Sequence, residues 1–149
     1  MQTDRYDWVM MEVEAVGKAT RKIAVALLDA EDQELVEIEE QTDGLLEDAF
    51  DHSRVALVDA RTAAMILRPP RRIREYARLL GHKSLLLQRL GQASASSSLA
   101  RRALELQLEA AELELDPAKV DYEAIEGLLD RDPPLHLGPR HRALLDALA

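Results

Sequence analysis

Apolar residues recur every three or four positions along most of this chain, and that spacing constrains the fold more than any other feature. The clearest case is one continuous stripe formed by Ile73, Tyr76, Ala77, Leu80, Ser84 and Leu87. This period is typical of an amphipathic helix, and no segment shows the alternation of a half-buried strand. Six Gly and six Pro in 149 residues also provide few turns for an all-β domain. We therefore predict an all-α bundle of six to seven helices.

Prolines, glycines and capping residues divide this pattern into helices. We expect helices over residues 4–29, 31–50, 53–67, 71–90, 98–115, 116–130 and 139–148. Asp51 or Ser53 is expected to cap the third helix, and the sequence around Gly44 could interrupt the second. The third ends before Pro69, because the residue before a proline is pushed out of the α region. The Ser-rich residues 92–98 are expected to connect two helices or to form a weak first turn.

The length fits one domain of ordinary size. We expect a single α-helical domain over residues 1–131, with an antiparallel hairpin at about residues 71–115. Residues 132–149 are expected to form a Pro-rich linker followed by a short helix. The polar start of the chain lacks a signal-peptide pattern, and its longest apolar run is too short for a membrane span. With no Cys in the chain, we expect a cytoplasmic protein without a membrane partner.

Charge is distributed in blocks. The net charge of −9 disfavours binding of nucleic acid or anionic membranes by the whole surface. Residues 31–48 nevertheless contain nine acidic residues and no basic one, whereas residues 68–89 contain seven basic residues and one acidic residue. Either helices of opposite charge face one another or expose their charged faces to solvent, or the basic segment from Arg68 to Arg89 is a docking face for an acidic partner.

Residues for catalysis or metal binding do not form a recognisable pattern. The four His are not spaced for a shared metal ion, and no Gly-rich phosphate-binding loop is present. Asp51, His52 and Ser53 are residue types of a catalytic triad, but adjacent side chains point in different directions. We therefore predict no catalytic, cofactor-binding or metal-binding residues and no cofactor.

One segment resembles a tetratricopeptide (TPR) unit. Residues 77–80 (Ala-Arg-Leu-Leu), 87–91 (Leu-Gln-Arg-Leu-Gly) and 103–110 (Ala-Leu-Glu-Leu-Gln-Leu-Glu-Ala) follow the small-residue pattern of such a helical hairpin. The Trp position of the repeat is unfilled, and no second copy can be aligned. More widely, residues 4–113 resemble a bacterial family of uncharacterised short all-helical proteins with a TPR-like C-terminal hairpin. The resemblance implies an interaction module and supplies no catalytic residue.

We therefore predict a helical protein–protein interaction or adaptor module that binds an acidic or helical partner. The candidate partner-binding residues are Arg71, Arg74, Tyr76, Arg78 and Arg101. The broad apolar face of the first helix indicates a possible homodimer. One alternative is a nucleic-acid-associated regulator that uses the basic segment on phosphates, although few aromatic residues accompany those arginines. An enzyme with no recognisable motif is a further alternative.

Overall fold

The computed structural model describes the backbone of residues 2–149 and the side chains of residues 13–149. Over these residues the chain is a bundle of helices without a strand, which confirms the all-α prediction. The helices are α1 (Gln2–Asp29), α2 (Leu35–Phe50), α3 (His52–Val55), α4 (Ala60–Leu67), α5 (Pro70–Arg89), α6 (Ala93–Leu113), α7 (Tyr122–Leu129) and α8 (Pro139–Ala147). Single turns of 3₁₀ helix at Asp32–Glu34 and Pro117–Lys119 precede α2 and α7. None of the helices in this described part is both long enough and apolar enough to cross a bilayer.

Helices α5 and α6 form an antiparallel hairpin at the centre of the bundle. The Ser96 hydroxyl donates to the Ser84 carbonyl at 2.5 Å, and Gln107 Nε2 donates to the Arg74 carbonyl at 3.4 Å. Residues later in α6 therefore contact residues earlier in α5, so the two helices run antiparallel. The stripe predicted on α5 is buried, and it packs against the buried face of α6 formed by Ala100, Ala103, Leu104, Leu106, Leu108 and Ala110.

The connection between these two helices is shorter than predicted. Helix α6 begins at Ala93, inside the Ser-rich segment expected to be a connection. Gly91 reverses the chain with φ +79°, a left-handed conformation that glycine adopts without steric cost. The first turn of α6 is then fixed by the buried Ser96 hydroxyl, so the serines continue the helix.

The third predicted helix is divided in two. Asp59 starts α4, and its carboxylate accepts from the Thr62 backbone N–H at 3.2 Å. Asp51 does not cap α3 with its side chain; instead Glu47 accepts from the Ser53 backbone N–H and hydroxyl, at 2.9 and 2.8 Å. The expected caps at Asp51 and Ser53 are therefore wrong, while α2 continues through Gly44 without interruption.

The C-terminal segment packs on the domain and is not set apart from it. The expected helix is present as α8, and Arg140 Nε and Nη2 donate to the buried Glu109 carboxylate of α6 at 2.8 and 2.7 Å. Several leucines of this segment also pack against the core, namely Leu135, Leu137, Leu144, Leu145 and Leu148. Residues 13–149 therefore share one hydrophobic core, because this segment carries both apolar side chains and a counter-ion for Glu109.

Candidate functional site

Two arginines of the basic segment cap the ends of neighbouring helices. Arg89 donates to the Leu27 carbonyl at 2.7 Å and to the Ala30 carbonyl at 2.6 Å, beside the C-terminal end of α1. Arg72 donates to the Ala49 carbonyl at 3.1 Å near the end of α2. The last carbonyls of a helix lack partners within it and carry its partial negative charge. Arg89 and Arg72 therefore stabilise the ends of α1 and α2.

Three further cations of the segment form close ion pairs. Arg74 Nη1 lies 2.6 Å from a Glu114 oxygen, and both side chains are largely buried. Arg78 donates to both oxygens of Asp121, at 2.6 and 2.9 Å. Lys83 Nζ lies 2.6 Å from an oxygen of Asp43 on acidic α2. Around these three side chains, basic and acidic segments face one another, as one interpretation of the charge blocks predicts.

The five residues predicted to bind a partner do not form one face. Tyr76 is fully buried, and its hydroxyl lies 2.5 Å from His52 Nδ1. Arg74 is largely buried against Glu114, while Arg101 lies on α6 with Glu105 at 3.6 Å. Tyr76 belongs to the apolar stripe of α5, which explains its burial. Of the five, Arg71 and Arg78 retain substantial exposure along a common cleft, and Arg71 lies 3.6 Å from Glu14.

This cleft lies between α1, α5 and the segment of residues 119–123, and its volume is about 600 Å³. Its walls carry five cationic residues and three acidic ones. The cations are Arg21 of α1, Arg71, Arg74 and Arg78 of α5, and Lys119, and the acids are Glu75, Asp121 and Glu123. Arg21 and Lys119 are exposed, and within the described part of the chain neither has a carboxylate within 4 Å. The lining of the cleft thus carries more cations than acids, on a chain of net charge −9.

Two neighbouring groups in the cleft have fixed protonation states near neutral pH. The hydrogen bonds that Arg78 donates to Asp121 raise the pKa of Arg78, so its guanidinium stays charged. Burial lowers the pKa of His82, and the charge of Arg78 lowers it further. His82 is therefore largely uncharged at neutral pH, and the cations of the cleft are its lysine and arginines.

The cations of α1 were missed in the sequence interpretation. Residues 15–28 contain Lys18, Arg21 and Lys22 and no acidic residue. All three side chains are exposed, and the spacing of three and four residues places them on one side of α1. This pattern is visible in the sequence, but the predicted binding face rested on the denser basic segment of α5. Trp8 and Met11 of the predicted apolar face lie outside the residues whose side chains are described.

Residues 13–149 contain no group of three or more His, Asp and Glu side chains arranged to hold a metal ion. No protein-family model, no curated protein and no solved structure matches the chain.

Proposed function

We propose that this chain is a helical interaction module that binds an acidic segment of a partner protein in the cleft between α1, α5 and residues 119–123. The observation that carries the proposal is the pair of cations Arg21 and Lys119, which lie on opposite sides of the cleft without carboxylate partners among the described residues. Most other cations bordering α5 are already neutralised, so these two are available to an incoming carboxylate.

The composition of the chain supports a selective acidic partner. A chain of net charge −9 repels most acidic proteins at long range, so binding requires a local group of cations. Lys18 and Lys22 extend the cationic surface along α1 beside Arg21. An acidic helix with carboxylates four residues apart presents them on one face, which fits cations spread along a helix.

Fluorescence anisotropy with a labelled, Glu-rich helical peptide tests this proposal. The variant Arg21→Glu/Lys119→Glu should bind at least about tenfold more weakly than the parent chain, because each substitution reverses a charge in the cleft. The control is Arg142→Glu, which reverses an exposed charge on α8. Equal affinities for the parent and the double variant would contradict the proposal, provided that circular dichroism shows both to be folded.

Affinity capture with and without nuclease separates the proposal from the nucleic-acid alternative. A protein partner whose recovery survives nuclease and falls for the double variant supports the interaction module. Recovery that disappears with nuclease, together with a steep fall of affinity with salt, favours a regulator bound to phosphates.

The homodimer predicted through α1 stays a prediction. Val25 is 60% exposed and Leu28 is 84% exposed, so the described part of α1 offers some apolar surface. Light scattering of the parent chain and of Val25→Glu/Leu28→Glu would show whether this surface joins two copies.

A further inference from the structure

A second cavity, of about 360 Å³, lies between α5, α6 and α7. It adjoins the cationic cleft at Arg78, His82 and Glu123. Its volume falls within the range of small-molecule sites, which are mostly apolar with a few polar groups. Leu85 and Leu128 provide apolar wall, while Gln107 and Arg131 provide polar groups. The cavity therefore has the size and the composition of a ligand site.

Two helical glycines line this cavity. Gly81 of α5 and Gly127 of α7 both line it, and a Cβ added at either would meet no atom within 4 Å. Glycine inside a helix lowers helix stability relative to alanine. Neither glycine is required by contact with a neighbouring atom, so both lower helix stability and leave room for a larger side chain facing open space.

Gln107 places an unsatisfied acceptor beside the cavity. Its side chain is 1% exposed, and its Nε2 donates to the Arg74 carbonyl at 3.4 Å. Its Oε1 is buried and accepts no hydrogen bond from the described residues. A buried carbonyl oxygen without a donor is unfavourable and rare in native proteins. A ligand with an N–H or O–H group would satisfy it once the amide turns toward the cavity, because Oε1 is enclosed by protein atoms in this conformation.

Arg131 contributes a half-buried cation without a counter-ion. Its Nη2 donates to the Ser84 hydroxyl at 2.6 Å and to the Gly81 carbonyl at 3.5 Å. No carboxylate of the described residues lies within 4 Å of it, whereas nearby Arg78 is paired with Asp121. Burial lowers the pKa of Arg131, as expected for a cation without a partner. The remaining N–H groups of its guanidinium match a carboxylate in geometry.

We propose that the cavity between α5, α6 and α7 binds a small organic acid with an aliphatic body and a hydrogen-bond donor. Its carboxylate pairs with Arg131, and its aliphatic part lies against Leu85 and Leu128. Its donor binds Gln107 Oε1 after the amide turns toward the cavity. This site shares Arg78, His82 and Glu123 with the cleft but does not include the two cations that carry the proposed partner site, because Arg21 and Lys119 do not line it.

The test uses 2-hydroxy-4-methylpentanoate and leucine as donor-bearing acids and 4-methylpentanoate as the acid without a donor. Protein-observed NMR should show saturable binding of a donor-bearing acid, with a shift of the Gln107 side-chain amide resonance. The acid without a donor should bind at least about tenfold more weakly, because Oε1 then stays unsatisfied. Absence of saturable binding by both donor-bearing acids up to about 10 mM would overturn the proposal.

Variants locate the binding. Gly127→Leu should abolish it by filling the cavity, and the variant should melt no lower than the parent, since leucine is the better helix former. Gly44→Leu is the matched control, because Gly44 is also helical and open but lies on α2, away from the cavity. Arg131→Gln should weaken binding at least about tenfold through loss of the charged pair. Undiminished binding by Gly127→Leu would place the acid elsewhere and overturn the assignment.

Discussion

Replacing Arg140 by methionine should loosen α8 more than replacing its partner Glu109 by methionine. The Glu109 carboxylate is 3% exposed and makes three short contacts, two with Arg140 at 2.8 and 2.7 Å and one with His141 Nε2 at 2.8 Å. The Arg140 side chain is 42% exposed. The Glu109 carboxylate is thus enclosed by protein, whereas the Arg140 side chain already faces water.

This asymmetry gives the expected magnitudes. Arg140→Met leaves a buried carboxylate with one remaining contact, and breaking such a pair costs about 3 kcal/mol. Glu109→Met leaves Arg140 free to turn into water, and the methionine adds apolar contact, so about 1 kcal/mol is lost. The difference of about 2 kcal/mol corresponds to roughly 30-fold in an opening equilibrium.

Amide hydrogen exchange of α8 measures that opening directly. The α8 amides should exchange roughly 30-fold faster in Arg140→Met than in Glu109→Met, and Arg142→Met, at an exposed position of the same helix, should match the parent. Equal effects of the two substitutions, or a larger effect of Glu109→Met, would refute the reasoning. Burial by itself would raise the pKa of Glu109, but the contacts from Arg140 and His141 outweigh it and lower the pKa. The docking of α8 should therefore be complete above about pH 4.3 and weaken as pH falls through the lowered pKa.

Three further predictions concern the stability of the bundle, measured by urea unfolding. Arg89→Met should lower the free energy of unfolding by about 1–2 kcal/mol, because two carbonyls near the end of α1 lose a charged donor. A variant as stable as the parent would argue against capping by Arg89. Gly91→Ala should cost about 1 kcal/mol through its positive φ, whereas Gly44→Ala should stabilise the helix; a neutral Gly91→Ala would contradict the turn geometry. Because the folded chain lowers the pKa of His82 by burial and by the charge of Arg78, stability should be complete above pH 6.5 and fall below it, by at most about 1.4 kcal/mol per pH unit. His82→Asn should remove part of that dependence between pH 7 and 5, since burial also lowers the pKa of His52, and the exposed His136→Asn should remove none.

Helices with a strong apolar stripe could be located from the sequence. The predicted helix over residues 71–90 corresponds to α5 at Pro70–Arg89, because Pro70 and the stripe fix its start and its length. The division between α3 and α4 was not predicted, because residues 53–67 read as one apolar pattern. It depends on the Asp59 carboxylate accepting from the Thr62 backbone, and Asp59 looks like any exposed acid until the chain turns there.

The candidate site was less accessible to sequence reasoning. The burial of Tyr76 was readable, because it lies three residues after Ile73 on the stripe. The ion pairs of Arg74 and Arg78 could not be predicted, because their partners Glu114 and Asp121 lie 40 and 43 residues away. Charge along a sequence shows which side chains are ionised, but contacts between distant segments decide which of them remain available.

The position of α5 explains why most of its arginines form contacts within the bundle. This helix packs against α1, α2, α4 and α6, so its polar side chains face the ends and acidic sides of other helices. Helix ends offer unpaired carbonyls, and long cationic side chains on a central helix reach them readily. Helix α1 lies at the edge of this arrangement, and its exposed Lys18, Arg21 and Lys22 meet no comparable set of acceptors in the described chain. In a bundle built this way, cations on the central helix hold the fold together, and those on the peripheral helix stay exposed.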